Sequence, residues 1–427
     1  RHDRILEMTA RRFDVGVDAG LLRNRIEDPA LDDPYITIEG QKLVNFGSAS
    51  YLALGRDPRL KAAAIDAVER YGTAYSSSTA YTSLPYYAVL EDRFRQIFGA
   101  PVVVAQTTTL IHLAVLPVAI APEDHVLVDA HAHSSLSLAA TAVKGAGASV
   151  ESVPHNDVAA LRERLSELTL SGRRVWYLAD GIYSMLGDLA PVREIVPMLD
   201  EFPMLHVYFD DAHGLGWQGL NGRGSVLHEV PWHERMTVAG GLSKSFGALG
   251  AVAAFGDEAL AWRVQACGGP VTFSGPMQPA ALGAAVASAD IHLSDEHQRL
   301  QARLLEQIEY VRTRLSEMRM PTPSFATSPI WFIRIGSVDR GIELLRRLRA
   351  EGYYLNPATF PMVPIGYAGA RFAHTLYHSD EHIEGMLDAL GRHVPDLVDD
   401  AHITIDLTDE GLAGSEVEDE KGDVVAG

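Results

Sequence analysis

Six short apolar runs between residues 102 and 255 constrain this chain more than any other feature. They are Val102-Val103-Val104, Val126-Leu127-Val128, Val175-Trp176-Tyr177-Leu178, Leu205-His206-Val207-Tyr208-Phe209, Met236-Thr237-Val238 and Ala251-Val252-Ala253-Ala254-Phe255. Each is β-rich and bounded by Gly, Pro or Asp. From about residue 58 helical patterns, such as Leu60 to Tyr71 and Leu90 to Phe98, alternate with such runs. A strand that is apolar on both faces must be covered on both faces. Such strands separated by helices therefore predict a mostly parallel sheet inside a large α/β domain.

The flanks read differently. Ile5 to Leu22 reads as a helical arm. Tyr35-Ile36-Thr37-Ile38 and Leu43-Val44-Asn45-Phe46, split by Glu39-Gly40, read as a hairpin. Near residue 290 the chain changes character: a long helical pattern from Glu296 to Met318, a strand at Ile330 to Ile335, a helix at Arg340 to Ala350, a strand at Ala370 to Leu376, and a helix capped by Ser379. The expected organisation is an arm and small hairpin (1–49), a large domain (50–285), a smaller C-terminal α/β domain (286–398) and an acidic tail (399–427). From Asp399 onward the tail holds ten acidic residues and one lysine, Lys421, and reads as a solvated segment.

Charge and cysteine content narrow the function classes. Thirty-six basic against 56 acidic side chains leave a net charge of −20, a surface that repels nucleic acid and anionic lipid. No run approaches the roughly 20 apolar residues of a membrane helix. The opening Arg1-His2-Asp3-Arg4 lacks the apolar core of a signal peptide. The single Cys267 leaves no intrachain disulfide and no cysteine-based zinc site. No nucleic-acid partner, no membrane partner and a cytoplasmic location are the expectations.

In open parallel sheets ligands sit at the carboxyl ends of the strands, so the residues that follow the apolar runs are the ones to read. They are Asp129-Ala130-His131-Ala132-His133, Asp180-Gly181-Ile182-Tyr183-Ser184, Asp210-Asp211-Ala212-His213-Gly214 and Gly240-Gly241-Leu242-Ser243-Lys244-Ser245. A lysine among small neighbours suits a Schiff base, because a buried amine loses its charge readily. An acid on a neighbouring strand end could keep a pyridine nitrogen protonated. An imidazole could stack on a flat ring or donate to its phenolic oxygen. Thr107-Thr108-Thr109, before the helix-like Leu110 to Val118, offers hydroxyls and helix N-terminal amides to a phosphate. Taken singly, each has a plain structural explanation: a surface lysine, a loop-capping aspartate, a helix-capping threonine. Their ordered conjunction describes a site for pyridoxal 5'-phosphate.

From about Asn45 to His393 the sequence resembles the α-oxoamine synthases, fold-type-I pyridoxal phosphate enzymes. The segments that carry the resemblance are Ser50-Tyr51-Leu52-Ala53-Leu54, Leu90-Glu91 with Phe98-Gly99, Asp180 to Asp188, Asp210 to Gly216 with Gly219 to Gly224, Leu242 to Gly247, and Val363-Pro364-Ile365-Gly366 with Arg371. The resemblance implies a mainly parallel seven-stranded sheet with a smaller C-terminal domain, and a homodimer. It also implies roles. Lys244 would carry the cofactor and move the Cα proton, Asp210 would pair with the ring nitrogen and His213 with the phenolic oxygen. His133 would stack on the ring and Ser184 orient that face. Thr108 and Thr109 would cradle the phosphate, Ser274 would reach a partner subunit's phosphate, and Arg371 would clamp an amino-acid carboxylate, with Ser50 near the substrate.

Several positions depart from the family pattern. Gly241 stands where a phosphate-binding threonine is expected and Thr109 where an aromatic is, Ala49-Ser50 replace paired asparagines, an arginine near Ser78 is absent, and Tyr87 replaces a histidine. The implied activity is decarboxylative condensation of an amino acid with an acyl thioester, from acyl-CoA or an acyl carrier protein. The alternatives are an aminotransferase on the same scaffold and a non-catalytic protein that keeps the fold.

Overall fold

The computed structural model describes residues 2–364 and 366–398. The acidic tail and Ile365 of the C-terminal motif lie outside the described residues. The hairpin forms as β1 (Tyr35–Ile38) and β2 (Gln41–Asn45), antiparallel, with Ile38 opposite Gln41. Its turn residues, Glu39 and Gly40, both have positive φ (49° and 71°), the backbone twist that a two-residue hairpin turn requires.

The central sheet contains β3 (Val102–Ala105), β4 (His125–Asp129), β5 (Ser149–Val153), β6 (Val175–Asp180), β7 (Leu205–Asp210), β8 (Met236–Gly241) and β9 (Ala251–Phe255), in the order β3-β9-β8-β7-β6-β4-β5. Strands β5, β4, β6, β7 and β8 pair in parallel. β9 runs antiparallel to both β8 and β3. All six apolar runs are strands of this sheet. β6 and β8 are buried along their whole length, as the continuous apolar pattern demands. β5 is the strand that the apolar pattern does not reveal: Ser149-Val150-Glu151-Ser152-Val153 lies at the sheet edge and is buried only at Val153.

Helices cover both faces. On one, Val126, Trp176, Leu178 and Tyr208 pack with the helices Thr108–Ala119, Ser134–Ala146 and Glu258–Cys267. On the other, Leu127, Tyr177, Val207 and Phe209 pack with Pro85–Phe98 and Pro279–His292. This two-sided covering brings Asp129, Asp180, Asp210 and Gly241, the last residues of four adjacent parallel strands, to one edge.

The C-terminal part is a second sheet of β10 (Ile330–Gly336), β12 (Asn356–Ala358) and β13 (Ala368–Ala373), ordered β10-β13-β12. It is backed by Asp295–Glu317, Val338–Ala350 and Asp380–His393. Ser379 caps the last helix in a capping box with His382. The expected strand to Leu376 stops at Ala373, because Thr375 and His378 bond to each other in a turn. A short strand, β11 (Tyr353–Tyr354), joins β2 in parallel, and Phe46, Tyr51 and Leu21 share one core with Trp331, Leu344 and Phe372. The N-terminal arm and hairpin thus pack onto the C-terminal layer, and Tyr51 leads from there into the large domain.

Candidate active site

Each strand end delivers its side chain for a local reason. Lys244 lies in the turn that links β8 to β9, where Leu242 and Ala248 close the loop through backbone bonds. Asp210 ends β7; its Oδ1 accepts from the Ala212 amide at 3.0 Å. His133 precedes the helix Ser134–Ala146 and caps it. Its Nδ1 accepts from the Ser135 amide at 3.3 Å and meets the Ser135 hydroxyl at 2.7 Å, while its own amide donates to Asp180 Oδ1 at 3.0 Å. Thr107 caps the helix Thr108–Ala119 by accepting from the Leu110 amide at 3.2 Å. That occupies Thr107 and leaves Thr108 and Thr109 in the first turn, among the amides that an anion meets.

These elements enclose a cavity of about 180 Å³ whose walls include Thr108, Thr109, His133, Asp210, His213 and Lys244. Ser184, Ser274, Ser50 and Arg371 are not among its lining residues. Arg371, on β13, is buried and donates from Nε to the Ser184 carbonyl oxygen at 2.7 Å, so Ser184 meets the guanidinium through its backbone. Ser274 lies half-buried after the short helix Gly269–Thr272. Ser50 lies beside Gly55, outside the cavity.

The electrostatics divide the acids by role. Burial alone would raise Asp210, but His112, Lys244 and His133 around it outweigh burial and hold its carboxyl below the ordinary value. Asp180, equally buried, is pushed well above its ordinary value by burial and by the charge on Asp210. Burial lowers Lys244 against the pull of Asp210 and Asp180, which moves its amine toward the neutral form. Desolvation lowers His133 and His213 too, although His133 keeps an exposed edge. A carboxylate, a readily deprotonated amine and two imidazoles at one cavity form a site for acid–base work on a bound electron acceptor.

Sequence reading missed His112 and Tyr51. His112 is fully buried, its Nε2 2.9 Å from Asp210 Oδ2 and its Nδ1 2.7 Å from the Tyr208 hydroxyl. The signal for it was a lone histidine four residues after Thr108 in an otherwise apolar helix, which puts it on the face that begins at the cavity. Tyr51 places its hydroxyl 2.7 Å from His213 Nδ1. Nothing in the sequence separated it from the buried Leu52 beside it.

The position that departs most from expectation, Gly241, has a steric explanation. A Cβ there would stand 2.5 Å from Thr108 Oγ1. The hydroxyl of Thr108 fills the space that a side chain at 241 would need.

A family model for aminotransferases of class I and II matches residues 41–390. The chain belongs to this family, within its α-oxoamine synthase group. It is 33% identical to the 8-amino-7-oxononanoate synthase of Symbiobacterium thermophilum over 379 residues, 88% of this chain and 94% of that one. It is 30% identical to the serine palmitoyltransferase of Bacteriovorax stolpii over 355 residues, 83% of each. Among solved structures, the serine palmitoyltransferase of Sphingomonas wittichii superposes with a TM-score of 0.83 at 24% identity, covering 92% of this chain and 98% of that one. That of S. paucimobilis with a bound PLP–myriocin aldimine gives the same score at 23% identity, with the same coverage. This is a pyridoxal phosphate-dependent family, and the fold is the fold-type-I architecture expected from the sequence.

Proposed function

We propose that this member of the family condenses an amino acid with an acyl thioester, with loss of carbon dioxide, at the cavity between Lys244 and Asp210. The observation that carries the reading is the opposition of an ionised Asp210 to a Lys244 amine shifted toward neutrality. When bound, pyridoxal phosphate supplies an electron sink for the carbanion at the amino acid's Cα. Asp210, kept ionised by His112, holds the ring nitrogen protonated. Lys244 would hold the cofactor through its neutral amine and would accept and return the Cα proton. His213 would donate toward the phenolic oxygen, His133 would cover the ring, and Thr108, Thr109 and the helix amides would hold the phosphate.

Arg371 receives the amino-acid carboxylate, since a guanidinium matches a planar carboxylate with two parallel bonds. Its bond to the Ser184 carbonyl sets its direction. In this reading residues 50–285 bind the cofactor, while the N-terminal arm and residues 286–398 cover the substrate side. The protein works as a homodimer in which Ser274 reaches the partner's phosphate site, and it acts in the cytoplasm without membrane or nucleic-acid partners.

Mass-spectrometric product analysis of the loaded enzyme, given a panel of amino acids with and without acyl-CoAs, tests the reaction. Free CoA together with an aminoketone that has lost carbon dioxide supports condensation. An oxo acid with pyridoxamine phosphate, formed without any thioester, would replace the reading with transamination.

A further inference from the structure

His213 can offer only one ring nitrogen to a ligand, because the other is already engaged. Its Nδ1 lies 2.7 Å from the hydroxyl of Tyr51, a side chain with no exposed surface. The positive charge of Arg371 acts on the same hydroxyl. Arg371 also donates to the Ser184 carbonyl, and the indole of Trp217 donates to the His213 carbonyl oxygen at 2.6 Å, so both ends of the chain of contacts are anchored.

The direction of each bond follows from what each group can do. A guanidinium is a cation with only hydrogens to give, so Arg371 can interact favourably only with the Tyr51 oxygen. The phenol has one hydrogen. If His213 Nδ1 also donated to that oxygen, the Tyr51 hydrogen would be left in a buried place with nowhere to go, at a cost of about 1–3 kcal/mol. The arrangement that satisfies both groups has the Tyr51 hydroxyl donating to His213 Nδ1. An imidazole that accepts at Nδ1 and is neutral carries its proton on Nε2.

We propose that Tyr51 is a positioning residue that fixes His213 as the Nε2–H tautomer and couples it to Arg371, so that a carboxylate arriving at the guanidinium changes how strongly His213 donates. Which ligand atoms meet Arg371 and His213 rests on the function proposed above; the tautomer is a property of this chain alone. Arg371 shares its positive charge between the Tyr51 oxygen and any carboxylate it binds. When a carboxylate draws the guanidinium away, the Tyr51 oxygen becomes less polarised, its hydrogen is held more tightly, and His213 loses part of the pull at Nδ1. Substrate binding at the small-domain side is thereby signalled to the cofactor side through a single phenol.

The test is nitrogen-15 NMR of histidine-labelled protein with the cofactor removed, the His213 signals being assigned by their absence in His213→Asn. The expected result is Nε2–H for wild-type His213, a mixture of tautomers in Tyr51→Phe, and a shift of the Nδ1 signal on titration with acetate in wild type but not in Tyr51→Phe. In the loaded enzyme Tyr51→Phe should lower kcat about 10-fold or more with KM for the amino acid changed far less. An Nδ1–H wild type, or a Tyr51→Phe spectrum unchanged at His213, overturns the proposal. If Tyr51→Phe does not fold, the wild-type tautomer and the acetate titration in Arg371→Gln still decide it. A wild type that shows the Nε2–H tautomer yet condenses nothing would overturn the proposed function and leave this inference standing.

Discussion

Two groups of histidines in this molecule have opposite uses. Those at the packing seam, His292, His297, His374 and His378, are fully enclosed and bond to backbone groups or to an indole, with one ring nitrogen of His297 and one of His374 left without a partner among the described residues. His292 reaches the Ser288 and Gly216 carbonyl oxygens, His374 accepts from the Trp331 indole at 3.3 Å, and His378 accepts from the Thr375 amide and contacts the Asn45 carbonyl oxygen. Those at the sheet edge, His112, His133 and His213, stand among Asp210, Asp180 and Lys244, and two of them border a cavity. Desolvation lowers His133 and His213 at the edge just as it lowers all four histidines of the seam. What makes a site is an unfilled neighbour and an acid of fixed charge.

The largest effect expected of this contrast is at Lys244. Lys244→Ala should abolish turnover and the visible absorption of the cofactor-loaded protein, read in a single spectrum, whereas His292→Leu at the seam should leave that band in place. Asp210→Asn comes next, lowering kcat by about 10²–10³ while the protein stays folded, since it removes a preorganised charge and no packing. Wild-type rates in Asp210→Asn would break the distinction between the two groups.

The pH dependence of stability sharpens it. Burial lowers His292 and His374 to about 3 and His378 to about 4. The unfolded chain takes up protons at these positions below its ordinary value near 6.5, while the folded one does not. Their contribution is complete above that value and is lost as pH falls from there toward 4. His155 is the reverse case. Burial opposes its charge, but Asp129 Oδ1 at 2.8 Å and Asp188 Oδ2 at 2.7 Å overcome burial and raise it to about 9. Its contribution, up to about 3 kcal/mol, is complete below the unfolded value and is lost as pH rises toward 9. Melting temperature should therefore fall at both ends, and His155→Gln should flatten only the alkaline limb.

The smallest expected effect concerns the phosphate cradle. Gly241→Thr should weaken pyridoxal phosphate binding about tenfold in a fluorescence titration, because the new side chain meets the Thr108 hydroxyl. Thr108→Ala in the same protein should recover most of the loss.

What could be read in the sequence follows from how each residue earns its place. The buried parallel strands were legible because a strand covered on both faces leaves an unbroken apolar run, and the residues after those runs led to Asp210, His213 and Lys244. β5 was not, since a half-exposed edge strand keeps no such run. His112 and Tyr51 were hidden for another reason. Each reaches the site through a partner distant in sequence, 98 residues away for His112 and 162 for Tyr51, and no local pattern records such a contact. Arg371 was legible only through the family resemblance, and its bond to the Ser184 carbonyl, 187 residues away, is made to the Ser184 backbone and not to its hydroxyl.

The interlock between Thr108 and Gly241 also has a bearing on how such a site can change. One hydroxyl occupies a volume that only one of two positions can use. A chain that carries it on the helix cannot acquire it on the strand by a single replacement without passing through a crowded intermediate. The two arrangements are connected most easily through a form that has neither, in which the phosphate is held by the helix amides and Thr109 alone. Cofactor affinity in such a lineage would dip before it recovered, and the cofactor concentration around the protein would decide whether that route was open.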